Sequence, residues 1–78
     1  MTREQIVLVL NSGVCSFKYT KKDGSERVAK GTRNPDVVRE NDATPKGTGV
    51  ERNGVITYYD LDKAAWRSFN EDSFVEFL

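Results

Sequence analysis

The sequence predicts a mainly β chain: a small five-stranded barrel led by a short N-terminal helix. Three observations lead there. At 78 residues the chain has room for one core and no second. Residues 14–20 alternate apolar and polar, then meet an Asp-Gly turn and a second strand-like run. The second half carries three more short β-rich stretches separated by turn signals.

Taken in order, Thr2-Arg3-Glu4-Gln5 reads as a capping box, with Thr2 as the cap and Gln5 reaching back. The apolar run Ile6-Val7-Leu8-Val9-Leu10 follows, and Asn11-Ser12-Gly13 is a stop. A helix over about 3–11 is expected, although the β-branched content of the run also suits a strand. From Val14 to Thr20, Cys15, Phe17 and Tyr19 share one face, and Ser16, Lys18 and Thr20 the other. That is the pattern of a half-buried strand. Asp23-Gly24 supplies residues that tolerate positive φ, so Glu26–Thr32 should return antiparallel.

Asn34-Pro35-Asp36 resembles a helix start, good for one turn through Val37 and Val38. A long polar loop is expected over about 39–53, carrying Pro45, Gly47 and Gly49. Gly54 to Leu61 then reads as a strand, Trp66 to Asn70 as another, and Phe74 to Leu78 as the last. Glu71-Asp72-Ser73 makes the break between the final two. Rolling such a meander into a barrel removes most of the free edge that a flat sheet would expose. Phe17, Tyr59, Trp66 and Phe69 are large enough to fill most of the interior. Residues 1–78 are read as a single domain.

Composition narrows the chemistry. No apolar run approaches the roughly 20 residues that span a bilayer, and the N-terminus lacks the marks of a signal peptide, so a cytoplasmic protein with no membrane partner is expected. The one cysteine, Cys15, rules out an internal disulfide, and without histidine the familiar Cys/His zinc sites are excluded. Pro45-Lys46-Gly47-Thr48-Gly49 has the residue types of a phosphate loop but neither its spacing nor a following helix. Asp60 and Asp62 imitate a metal pair, but a strand running into a turn explains them more simply. No spacing sets a base beside a nucleophile. The expectation is a non-enzymatic chain with no cofactor and no metal.

Net charge is zero, yet it is unevenly spread. Residues 16–33 hold six basic side chains against two acidic, whereas residues 51–78 hold three against six. A basic first hairpin faces an acidic second half. The alternative reading is that these charges are solvated strand faces that balance across the barrel. The candidate binding residues are Lys18, Tyr19, Lys21, Lys22, Arg27, Lys30, Arg33, Tyr58 and Arg67. As a nucleic-acid site they would combine exposed tyrosines with neighbouring cations. As a protein site they would present a basic hairpin turn to an acidic partner.

One resemblance bears on the choice. The strings Tyr19-Thr20-Lys21-Lys22-Asp23-Gly24-Ser25-Glu26-Arg27-Val28 and Lys30-Gly31-Thr32-Arg33-Asn34-Pro35-Asp36 resemble the first half of a family of small phage and prophage proteins. Tyr59-Asp60-Leu61-Asp62-Lys63, then Ala65-Trp66-Arg67-Ser68-Phe69 and Asp72-Ser73-Phe74, resemble its second half. That family is WYL-like, with an Sm-like SH3 β-barrel fold, and the resemblance covers about residues 13–78. It implies an SH3/Sm-like barrel in the host cytoplasm, acting as an accessory or regulatory binding module. A host or phage protein is the expected partner, and single-stranded RNA or DNA the alternative. Related WYL domains bind ligands or nucleic acid with basic residues of this region, to which Arg27 and Arg67 correspond. Asn70 and Glu71 depart from the family's basic-then-apolar pair, which weakens the nucleic-acid implication. Sm-like barrels also associate through edge strands, so either a monomer or a homo-oligomer is consistent with the family.

Overall fold

The computed structural model describes residues 2–44 and 54–78, which form two helices, a 3-10 turn and five strands. Helix α1 spans Arg3–Ser12. Its capping box is complete: the Thr2 hydroxyl accepts from the Gln5 N–H at 3.2 Å, and the Thr2 N–H donates to Gln5 Oε1 at 2.8 Å. Ile6 and Leu10, one turn apart, are its two buried positions, so the cap and the four-residue spacing outweigh β-branching here.

Strands β1 (Cys15–Thr20) and β2 (Glu26–Thr32) pair antiparallel, with Phe17 opposite Ala29 and Tyr19 opposite Arg27. Helix α2 covers Pro35–Glu40, longer than the single turn expected. Asn34 Oδ1 accepts from the Asp36 and Val37 N–H groups, and Val38 is fully buried, which sustains the extra residues. The loop expected over 39–53 therefore begins later. Residues 45–53, including the Pro45-Lys46-Gly47-Thr48-Gly49 run, lie outside the described residues. Strands β3 (Val55–Asp60) and β4 (Ala65–Asn70) form a second hairpin, and the 3-10 turn Glu71–Ser73 leads into β5 (Phe74–Phe77).

The strand order is β4-β3-β2-β1-β5. Lying flat, the outermost strands would stand roughly 19 Å apart at the usual strand spacing. Three residues of 3-10 helix advance only about 6 Å. Because Glu71–Ser73 joins these two outermost strands, the sheet has to roll up. The result is the small, strongly bent barrel read from the sequence.

The core is an aromatic cluster plugged by α1. Phe17 lies at its centre, edge-on to Tyr58 at 5.0 Å between ring centroids and 5.5 Å from Phe69. Ile6, Leu10, Tyr19, Ala29 and Ile56 complete it, with Val7, Cys15, Phe74 and Phe77 at its margin. Burying a side chain such as Phe17 contributes on the order of 1.5–3 kcal/mol. Thr32 ties the helix to the barrel: its buried hydroxyl donates to Gly13 O at 2.8 Å.

Two residues expected to fill the barrel interior lie outside its aromatic cluster, although Tyr59 is itself buried at 4% exposure. Tyr59 and Trp66 pair across β3 and β4 on the opposite face, edge-to-face at 5.7 Å, outside the aromatic cluster. The cause is register. Ile56 pairs with Phe69 facing the aromatic cluster, and strand alternation then turns Tyr58 into that cluster and Tyr59 to the opposite face, where it is buried too.

Candidate binding surface

The nine candidate side chains do not form one site. Tyr19 and Tyr58, expected as exposed platforms for bases, are core residues, at 7% and 0% exposure. Alternation from Phe17 and Ile56 turns both rings inward, and their hydroxyls stand 3.4 Å apart in the interior. Neither offers a free face for stacking.

Arg27 shares the inward face with them and is committed. One guanidinium nitrogen donates to Asp60 Oδ2 and the other to the Tyr19 hydroxyl at 3.3 Å. The Tyr58 hydroxyl also donates to Asp60 Oδ2, at 3.3 Å. Asp60 Oδ1 accepts from the Asp62 and Lys63 N–H groups, both at 3.0 Å, holding the turn between β3 and β4. Asp60 is thus fully buried with every lone-pair direction in use, the condition under which a buried carboxylate is tolerated. Burial, followed by the hydrogen bond to Tyr19, pushes the Tyr58 phenol well above its ordinary value. At Arg27 burial works against the charge, but the Tyr58, Tyr19 and Asp60 oxygens outweigh it and raise its pKa. This network is the feature the sequence reading missed. Its signal was a charged residue, Arg27, standing opposite Tyr19 at an inward position.

The other cations divide by availability. Lys18, on the outer face of β1, lies 3.9 Å from Glu26 and 4.0 Å from Glu76, so two carboxylates share its charge. Arg33 Nη1 donates to the Thr57 carbonyl. Lys30 is exposed on the outer face opposite Ser16. Arg67 is exposed on the outermost strand β4, opposite the inward Tyr58. A charge on the inward register of an edge strand discourages another strand from adding there. Lys21 and Lys22 are exposed on the β1–β2 turn with no ion pair among the described residues. Asp23 folds back into its own turn, where the Ser25 hydroxyl and N–H donate to it and lower its carboxyl pKa.

Beside that turn lies an open groove of about 710 Å³, where the chain end of β4 comes up against the hairpin. Lys21, Lys22 and Thr20 line one wall, and Ser68, Asn70 and Ser73 the other. A shallower hollow adjoins Tyr59 and Trp66, whose indole N–H donates to the Thr44 carbonyl at 3.2 Å. Cys15 is partly buried and its thiol pKa is raised by burial, the opposite of an activated nucleophile. Among the described residues no three acidic or cysteine side chains cluster as a metal site would need, and no helix is long and apolar enough to cross a membrane.

Comparison with known proteins agrees with this architecture. Residues 3–75 match the family WYL_2, described as having an Sm-like SH3 beta-barrel fold. The chain is also 31% identical over 75 residues to an uncharacterized 11.5 kDa protein of Enterobacteria phage T4, from the Gp31-cd intergenic region. That match covers 94% of this chain and 74% of the phage protein. No solved structure matches the chain.

Proposed function

The chain belongs to the WYL_2 family of Sm-like SH3 β-barrels, a small phage-type protein, and from that premise we propose that it is a non-enzymatic module that binds a host or phage protein. The reading places it in the host cytoplasm, as an accessory or regulatory factor. One observation carries it: the tyrosines that would stack on bases lie in the core, whereas Lys21 and Lys22 stand on an exposed turn with no ion pair among the described residues. A single-strand binder needs exposed aromatic faces and a cationic track. This chain has net charge zero; Lys18 shares its charge with Glu26 and Glu76 on the outer face, and Arg27 and Arg33 donate to Asp60 and to the Thr57 carbonyl. A short basic turn beside a groove suits an acidic protein surface better than a phosphate backbone.

The test is affinity capture from host lysate with the tagged chain, with and without nuclease. The expected result is a stoichiometric protein that survives nuclease treatment. Recovery that disappears with nuclease, together with tight binding of a single-stranded oligonucleotide at low salt, would establish the nucleic-acid alternative instead.

A further inference from the structure

The groove beside the β1–β2 turn has a composition that fits a particular kind of occupant. Its volume, about 710 Å³, lies within the roughly 300–1,000 Å³ typical of ligand clefts. At its base Tyr19 and Phe69, 7% and 6% exposed, stack on each other at 5.0 Å between centroids and 17° between planes, with Val55 beside them. Its walls are polar and uncommitted. The side chains of Thr20, Ser68, Asn70 and Ser73 make no side-chain hydrogen bond among the described residues, in contrast to Thr32, Ser12 and Ser25, whose hydroxyls all serve the fold. The rim carries Lys21 and Lys22; Asp23 at the same turn is hydrogen-bonded by Ser25 and its charge is felt by Lys21, so the rim keeps a net positive charge.

We infer that this groove receives an acidic peptide segment of the protein partner, with its carboxylates held by Lys21 and Lys22 and its backbone by the side chains of Ser68, Asn70 and Ser73. The inference rests on the protein-binding reading above and names the segment that would be recognised. Hydroxyl and amide donors along Ser68, Asn70 and Ser73 suit carboxylate and backbone carbonyl oxygens. The floor rings are too buried for a base to stack on them, and two ammonium groups are too few to follow a nucleic-acid strand. Complementary charge along the groove gives the segment its orientation.

The test uses the isotope-labelled full chain and the capped hexapeptide Asp-Glu-Phe-Leu-Glu-Asp, followed by amide chemical shifts. Expected are shifts concentrated at Thr20, Lys21, Lys22, Ser68, Asn70 and Ser73, weakening with added salt. The Lys21→Glu/Lys22→Glu variant should lose at least about tenfold in affinity, equivalent to about 1.4 kcal/mol. Ser68→Trp, an exposed change that fills the groove from the other wall, should abolish the shifts while leaving the rest of the spectrum folded. No shifts with the acidic peptide, equal binding of a lysine-substituted copy, shifts centred elsewhere, or unaltered affinity in both variants would each overturn the inference. Lysate capture with the charge-reversed variant separates the two claims. A partner still retained would remove the groove and keep the binding-module reading, whereas no partner for the unmodified chain would remove the reading itself.

Discussion

Arg27 on β2 and Asp60 at the end of β3 meet in an ion pair in which the carboxylate is fully buried and the guanidinium about one-fifth exposed. The pair joins strands that otherwise share a short ladder, Gly31 with Asp60 and Thr32 with Tyr59. It also reaches β1 through the Tyr19 hydroxyl and the β3–β4 turn through two backbone N–H groups.

Asp60→Ala should therefore cost about 3–5 kcal/mol, because it strands a partly buried cation and two turn donors at once. Asp60→Asn keeps an acceptor for the turn and should cost less. Denaturant midpoints of the two variants check this, and a midpoint for Asp60→Ala equal to the unmodified chain would refute the role.

Tyr58 fixes the alkaline limit. Its folded pKa lies above the unfolded value of about 10, so its contribution is complete below that pH and is lost as pH rises through the folded value. Stability should decline above about pH 10, and fewer than all three tyrosines should ionise while the chain is folded. Tyrosinate absorbance against pH, beside circular dichroism, reads both. Three phenols titrating together near their ordinary value in folded protein would contradict the burial.

Gly31 admits no side chain. A Cβ there would collide with the Tyr58 ring and come within 2.9 Å of the Tyr59 carbonyl oxygen. Gly31→Ala should destabilise by about 1–3 kcal/mol, seen as a fall in Tm. An unchanged Tm would mean that β3 does not approach β2 this closely.

Trp66 and Phe17 make a paired test of the core. Phe17→Ala should cost about 3–5 kcal/mol, nearly all that a domain this small has to lose. Trp66→Ala, on the other face, should cost clearly less and leave a folded protein. Equal losses would return Trp66 to the interior.

These contrasts locate what could be read from the chain alone. The capping box at Thr2, the Asp23-Gly24 turn and the alternation through Cys15, Phe17 and Tyr19 are local patterns, and strand β2 falls on Glu26–Thr32 as expected. Tyr58-Tyr59 is different. Two adjacent aromatics give alternation nothing to choose between, and only pairing with β4 decides which ring enters the core. Arg27 was legible as a cation but not as a partly buried, inward-facing one, because the partner that permits its burial lies 33 positions away. The loss of both tyrosines from the candidate surface follows from the same non-local choice.

The link Glu71–Ser73 also bears on how fast the molecule forms. It delivers β5 to β1, so that Phe17 is paired with Phe77 from the far end of the chain. Two hairpins can assemble from neighbours, but the seam waits on a contact of nearly maximal sequence separation. Such topologies fold in roughly milliseconds to seconds instead of microseconds. Until that last strand arrives, β1 has an open edge and Phe17 is missing part of its cover, which makes the incompletely rolled sheet the state most exposed to aggregation.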